Sequence, residues 1–373
     1  MAHAYTPGLK VTEKSVVRKD RRLPLKGQVM VKQGDAVASD QVVAKTELPG
    51  NVQTVNVAGL LGLLAEDVPS HMLKKIGDPV AKDEAIAISK GFFGLFKSSC
   101  KAPVTGTIES ISQITGQVIL REPPLPVQVR AYIDGTIVQV NENEGVVVEA
   151  FGTFVQGIFG IGGEVAGEVL VVAADPAQEL TPDLLTPACQ GKVVVGGSLV
   201  RIAALQKAVE VGAKALVVGG INDADLKAFL GYDIGVAITG TEQKGVTLVV
   251  TEGFGQMTMA RKTFNLLKSK QGLKASVNGA TQIRAGVMRP EVIIPLAGER
   301  STEETHKQDG GMDLGMAIRA IRHPYFGRIG KVTALPHELQ KLESESHARI
   351  LEVEFEDGTK AIVPRANVEL IED

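Results

Sequence analysis

The chain has 373 residues, a length typical of roughly two or three domains with hydrophobic cores of their own. It carries 40 Lys and Arg against 43 Asp and Glu, so the net charge of −3 gives the whole chain no electrostatic affinity for nucleic acid or anionic membranes. A hydrophobic fraction of 44% with 22% charged residues is typical of globular proteins and excludes a disordered or collagen-like chain.

The sequence predicts a cytoplasmic protein without a metal or a cofactor. No stretch approaches the roughly 18 uncharged apolar residues that a membrane-spanning helix needs, and Met1–Lys10 lacks the apolar segment of a secretory signal. Two distant cysteines, Cys100 and Cys189, suit a reducing compartment. They cannot by themselves supply an iron–sulfur cluster or a four-cysteine zinc site.

Residues 1–22 form a basic N-terminal segment. Its positive charges are a candidate contact for a nucleic acid or a partner protein, and the alternative is a solvated face or tail. The candidate residues are Arg18, Lys19, Arg21 and Arg22.

Residues 23–175 are predicted to be β-rich, because Val, Ile and Thr are frequent and Gly or Pro recurs every eight to twelve residues or so. This region contains an internal repeat. Gly34–Ala44 (GDAVASDQVVA) reads almost like Gly77–Ala87 (GDPVAKDEAIA). Each copy predicts a tight Gly-Asp turn, a core valine, a second turn and the start of a strand.

The repeat, followed by Lys101–Ile108 (KAPVTGTI), resembles a barrel-sandwich hybrid of the biotinyl/lipoyl type, as found in Rnf-type electron-transport subunits. A related turn pattern occurs in Tyr132–Ile137 (YIDGTI). The resemblance implies the fold of residues 23–175. It does not extend to chemistry, because the clustered cysteines of iron–sulfur centres are missing and neither Lys45 nor Lys90 has the flanking residues of a carrier lysine.

Three phenylalanines stand close together between two predicted strands. As core residues they would be unremarkable, and as an exposed tip they would form an apolar patch for a partner. They are Phe92, Phe93 and Phe96.

Residues 186–300 are predicted to form an α/β domain with parallel strands, because short apolar runs alternate with segments of helical periodicity. Val193–Val195, Ala215–Val218 and Val246–Val250 are the predicted strands. The run from Gly191 to Ile221 also resembles swivelling β/β/α domains.

Glycines follow the predicted strands of this domain, at the sheet edge where open α/β sheets bind ligands. We expect the Gly253–Gly255 loop to open a helix that contains Met259, and such a helix start favours an anion or a nucleotide. Tight turns are the alternative. The candidate anion-binding residues are Thr251, Gly253, Gly255, Arg284 and Arg289.

Catalytic patterns are scarce. None of the six histidines has a metal-binding spacing, and no Gly-x-Ser-x-Gly elbow occurs. No catalytic residue is assigned, and the prediction leans away from an enzyme.

Residues 301–322 are predicted to be a linker with a short helix over Leu314–Arg322, and residues 323–373 an SH3-like β-barrel. His323–Val332 (HPYFGRIGKV) resembles the KOW motif of transcription-elongation factors and certain ribosomal proteins. The resemblance implies contact with RNA or protein. From Arg319 to Asp373, however, eight Lys and Arg face ten Asp and Glu, which disfavours RNA. A local basic cluster remains a candidate, formed by Arg319, Arg322, Arg328 and Lys331.

The fold class predicted from these segments is multidomain α+β. The leading functional hypothesis is a non-catalytic interaction or assembly protein, a structural scaffold that forms homo-oligomers. The alternatives are an RNA- or ribosome-associated factor that acts through the KOW-like barrel, and an enzyme or nucleotide binder at the Gly253–Gly255 loop.

Overall fold

The computed structural model describes residues 6–89, 98–233, 239–240, 242–282, 288–296, 312–320, 324–325, 328–336, 339–341, 347–355 and 357–372.

The N-terminal half is built of short strands around one long one. It begins with β1 (Thr6–Arg22), β2 (Gln28–Val29), β3 (Ala36–Val37) and β4 (Val42–Leu48). There follow β5 (Val52–Asn56), α1 (Val57–Leu61), α2 (Val68–His71), β6 (Pro79–Val80), β7 (Ala85–Ile88), β8 (Ser99–Lys101), β9 (Gly106–Ile111) and β10 (Gln117–Arg121). It ends with β11 (Leu125–Arg130), β12 (Gly135–Asn141) and β13 (Gly145–Gln156).

Two modules are nested in this half. Strand β4 pairs with β11 in antiparallel fashion, from Leu48 opposite Leu125 to Val42 opposite Arg130. The chain between these strands forms a module with its own core, drawn from residues between Val55 and Leu120. We call residues 49–122 the inner module, and residues 23–48 with 123–150 the outer module.

The internal repeat is confirmed as one turn built twice, once in each module. Gly34 and Gly77 share a φ of +92°, a left-handed conformation that glycine adopts without strain. In each turn the following aspartate accepts a hydrogen bond from a backbone N–H three residues earlier, at 2.8 Å for Asp35 and 2.7 Å for Asp78. Similar sequences have therefore folded into similar local structures.

The basic segment 1–22 is not a tail, because its described part is the long strand β1. From Val11 to Arg22, β1 runs antiparallel to β13. Its beginning pairs in parallel with the end of the chain, where Leu9 lies opposite Ile371. The hydrogen bonds of these two neighbours hold the segment in an extended conformation.

The central domain alternates strands and helices. Its elements are β14 (Phe159–Ile161), β15 (Glu164–Val171), β16 (Val193–Val195), β17 (Leu199–Val200), α3 (Ile202–Glu210), β18 (Ala215–Ile221), α4 (Asp223–Leu230), β19 (Thr247–Phe254), α5 (Arg261–Ser269), β20 (Lys274–Asn278) and β21 (Glu291–Pro295).

The parallel pairing expected from this alternation is confirmed. Strands β15, β16, β18 and β19 lie parallel in that order, and β14 pairs antiparallel to β19. Helices α3 and α4 pack on one sheet face, with Leu216 and Leu248, and α5 packs on the other, with Val217 and Val249. Successive residues of each strand face opposite sides of the sheet, so the domain has two cores, one on each side. The second core also takes Val11 from β1, so it reaches across the predicted boundary at residue 175.

The C-terminal strands curl into a half-barrel. They are β22 (Ala317–Ala320), β23 (Ile329–Ala334), β24 (Leu339–Lys341), β25 (His347–Phe355), β26 (Lys360–Pro364) and β27 (Val368–Glu372). The helix predicted over Leu314–Arg322 is wrong, because Ala317–Ala320 is a strand. Its backbone pairs with β23 on one side and β27 on the other, and Ile318 and Ala320 are fully buried.

The predicted α+β class is confirmed: the fold combines strand-rich modules, mixed sheets with parallel strands and a C-terminal half-barrel. Among the helices of the described ranges, none is both long and apolar enough to cross a membrane.

Candidate functional site

The predicted anion site at the end of β19 does not have the expected geometry. The strand continues to Phe254 and α5 begins only at Arg261, so the glycine loop does not open a helix. Gly253 and Gly255 have φ values of +148° and +98°, which strain any other residue. The hydroxyl of Thr251 is buried and donates to the carbonyl of Val218 at 3.2 Å. Thr251 and Gly253 therefore belong to β19 itself, and Gly255 directly follows the strand, where the chain bends.

The carboxyl ends of the parallel strands are covered by the chain itself. A methyl group on Gly219 would lie 2.1 Å from the carbonyl oxygen of Met257, and one on Gly220 would lie 2.1 Å from that of Gly255. Between β16 and β17, a methyl group on Gly197 would lie 2.2 Å from the carbonyl oxygen of Gln178. The backbone thus fills the crevice in which a ligand was expected at these positions.

A buried ion pair lies behind the same loop. Glu252 accepts a hydrogen bond from the N–H of Ala260, at the start of α5, at 2.9 Å. The other carboxylate oxygen of Glu252 is bound by Arg319, which also donates to the Glu252 carbonyl at 3.2 Å. Both side chains are almost completely buried. Arg319, a predicted contact for nucleic acid, therefore joins β22 to the central sheet and has no exposed surface to offer.

The two remaining candidate anion-binding residues do not complete the predicted site. Arg284 lies outside the described residues. Arg289 is half-buried in the segment that leads into β21. The structure describes no geometry that brings it together with the Gly253–Gly255 loop.

The basic run of β1 is neutralised by carboxylates. The pairs are Arg18 with Glu149 at 2.8 Å, Lys19 with Glu291 at 2.6 Å, Arg21 with Glu164 at 2.6 Å, and Arg22 with Asp20 at 2.7 Å. Since each cation has an acidic neighbour, the strand does not present the continuous positive surface that phosphate-driven RNA binding requires.

In the predicted C-terminal basic cluster, Arg328 and Lys331 also have acidic neighbours. Arg328 forms an ion pair with Asp357 and lies 4.1 Å from the ring centre of Phe355. Hydrogen bonds from Thr359, together with the charge of Arg328, lower the pKa of Asp357. Lys331 is exposed on β23, opposite Glu354 of β25. Arg322 lies outside the described residues.

The predicted apolar patch of Phe92, Phe93 and Phe96 lies outside the described residues as well. The structure instead reveals an apolar surface that sequence reasoning missed, at one end of the inner module. We call Leu60, Leu64 and Ile114 the apolar end. Their exposed fractions are 65%, 66% and 92%. The signal was present in Gly59–Leu64 (GLLGLL), a leucine-rich run too short to show helical periodicity.

Local structure brings these residues to the same end of the module. Asn56 caps α1 by accepting the N–H of Gly59 at 2.9 Å, and Gly62 ends the helix with a φ of +63°. The turn between β9 and β10 packs against α1, because the carbonyl of Gly116 accepts the N–H of Ala58 at 3.1 Å. Ile114 lies in that turn, and Leu64 lies three residues after α1 ends at Leu61.

Both cysteines are buried free thiols, Cys100 in the inner module and Cys189 in the central domain. Burial raises the pKa of each thiol, which reduces the reactive thiolate at neutral pH. Among the described residues, no group of three or more His, Cys, Asp or Glu side chains has an arrangement that could hold a metal ion.

We expect both thiols to react slowly with Ellman's reagent in the native protein and rapidly after unfolding in urea. The physical reason is that neither sulfur is exposed and both pKa values are raised. Absorbance of the released thiolate measures the rates. Cys100→Ser and Cys189→Ser variants assign each phase, and a native-state rate equal to that of free cysteine would contradict this prediction.

Comparison with known proteins adds no family. No protein-family model matches the chain, and no curated protein matches it. The resemblances to barrel-sandwich hybrids, swivelling domains and KOW barrels therefore stay predictions.

Proposed function

We propose that the protein is a non-catalytic assembly protein that binds a second copy of itself through the apolar end. The observation that carries this proposal is the exposure of Leu60, Leu64 and Ile114 on a compact module. Exposed large apolar side chains that are gathered at one place favour protein–protein contact.

The way the inner module is attached supports the proposal. It has its own core, and the β4–β11 pair connects it to the rest of the protein. At the junction the guanidinium of Arg121 donates to the carbonyl of Gly50 at 3.1 Å, and Glu122 donates its N–H to Asn51 at 2.9 Å. The apolar end is thus presented by a folded unit at the far side of a two-stranded connection.

Charge supports a second copy as the partner. A net charge of −3 over 373 residues gives little repulsion between copies. The pairing of β1 cations with carboxylates makes RNA a weaker candidate. We also propose the cytoplasm as the location, because two buried free thiols suit a reducing compartment, and barrel-sandwich hybrids as the fold of the two repeated modules.

Leu60→Lys/Leu64→Lys should weaken self-association by more than tenfold, because each buried leucine contributes about 2 kcal/mol to an apolar contact. Sedimentation velocity over a range of protein concentrations measures the dissociation constant. Leu314→Lys is the matched control, since Leu314 is 64% exposed on another part of the chain.

Two results would reject the proposal. One is a wild-type protein that remains monomeric throughout the micromolar range. The other is an oligomer that the double variant and the Leu314→Lys control weaken equally.

A further inference from the structure

An open cleft lies where β1 ends beside β11, away from the apolar end. Its volume is about 330 Å³, which falls within the range of roughly 300–1,000 Å³ for small-molecule sites. It is lined by Asp20, Arg21, Arg22, Gln128, Val129, Arg130 and Glu164. Three guanidinium groups therefore face two carboxylates, so the lining has a net positive charge.

Arg21 forms a fixed wall of this cleft. Its guanidinium binds both carboxylate oxygens of Glu164, at 2.6 and 2.7 Å, and its Nε donates to the Arg130 carbonyl at 2.7 Å. The guanidinium also lies 5.3 Å from the ring centre of Tyr132. Bidentate pairing and the aromatic contact hold the charge in one orientation, which reduces the entropy lost when a ligand binds.

Tyr132, which supports this wall, has an unusual backbone. Its φ is +71°, a conformation that is costly for a bulky residue and that concentrates at ligand-binding sites. The ring is buried and its hydroxyl donates to Glu291 at 3.1 Å. Lys101–Ile108 of the inner module aligns in sequence with Arg130–Ile137 of the outer module, and Pro103 occupies the position equivalent to Tyr132. The strained tyrosine is thus specific to the module that carries the cleft.

Two guanidinium groups are available at the mouth. Arg130 is exposed and forms no ion pair within the described ranges of the chain. Among the described residues, Arg22 forms an ion pair with Asp20 alone, and both side chains are largely exposed, so Arg22 can exchange this partner at little cost. Gln128 lies two residues before Arg130 on the same face of β11, and its amide is a neutral donor.

We propose that this cleft binds a small molecule that carries a phosphate or carboxylate group, held by Arg130 and Arg22. Planar guanidinium groups bind both oxyanions through paired hydrogen bonds. A small molecule is favoured over a nucleic acid, because the cleft has a volume of only about 330 Å³ and the neighbouring cations of β1, Arg18 and Lys19, already have carboxylate partners. This inference is independent of the proposed self-association.

Isothermal titration calorimetry of the full chain with inorganic phosphate and with citrate tests the proposal at constant low ionic strength. We expect saturable binding of at least one of the two probes, and the stronger probe shows which oxyanion is preferred. Arg22→Gln/Arg130→Gln should bind that probe at least about tenfold more weakly, since hydrogen bonds to charged groups are lost. Lys101→Gln, at the equivalent exposed position of the repeat, should bind like the wild type.

The proposal is overturned if neither probe shows saturable binding, or if the double variant binds as tightly as the wild type. It is also overturned if a short RNA oligonucleotide binds more tightly than both probes and loses this affinity in the double variant. Circular dichroism of each variant confirms the fold, and both substituted arginines are exposed, so the fold should persist.

Discussion

Arg319→Ala should lower the free energy of unfolding by about 3–5 kcal/mol, because it leaves the buried carboxylate of Glu252 without its counter-ion. Glu252 would keep the hydrogen bond from Ala260, but a single neutral donor does not replace a guanidinium group. The half-barrel would also lose the hydrogen bonds from Arg319 to the β19 backbone. Urea denaturation followed by circular dichroism measures the change.

Two further variants make this prediction specific. Arg201→Ala removes an exposed pair with Glu179 and should cost at most about 1 kcal/mol. Arg319→Met/Glu252→Gln removes both charges and should recover part of the lost stability. If Arg319→Ala costs no more than Arg201→Ala, the pair does not hold the half-barrel against the central sheet.

Gly220→Ala should destabilise the protein by about 2–3 kcal/mol, because its methyl group would meet the carbonyl oxygen of Gly255. That contact is 2.1 Å and involves backbone, so relief requires a shift of β18 or of the loop after β19. Thermal and urea unfolding of the variant give the change in stability. This substitution tests whether the sheet edge is covered by the chain, since an open crevice would accept the methyl group without a loss of stability.

Gly163→Ala is the control for this prediction. The nearest atom to its added methyl group, the carbonyl oxygen of Gly240, is 3.2 Å away, so the change in stability should stay within about 1 kcal/mol. Equal stability of the two variants would show that the strand ends are open and would return the Gly253–Gly255 loop to consideration as a ligand site.

Local features of the fold were predictable from the sequence, because they depend on neighbouring residues. The turns at Gly34 and Gly77 need only a glycine that adopts positive φ and an aspartate that accepts a nearby N–H. The alternation of strands and helices in the central domain was predictable for the same reason. The spacing of apolar residues that distinguishes a strand from a helix is visible within a few consecutive residues.

Long-range pairing was not predictable in this way. Nothing near Arg319 in the sequence indicates Glu252, which lies 67 positions away. The same limit explains the helix wrongly expected over Leu314–Arg322. Four residues, three of them buried, suit a helix or a strand, and the two flanking strands decide between them.

The candidate site was predicted in part. Arg21 and Arg22 do line a cleft. Their basic run also implied an exposed positive surface, but carboxylates from distant strands, such as Glu164, neutralise it. Arg130 and the apolar residue Ile114 were not singled out, because a lone residue carries no pattern. Their importance depends on which chain segments fold beside them.

The nesting of the modules and the pairing of β1 with β27 determine the order in which these parts can fold during synthesis. The inner module is contiguous, so it can close as soon as residue 122 has left the ribosome. The outer module must wait for β11, β12 and the beginning of β13, which supply its remaining strands. The start of β1 waits longer still, because its partner β27 is translated after the other described strands. Until β27 has been translated, the start of β1 has an unpaired edge, a state in which chaperones would bind it.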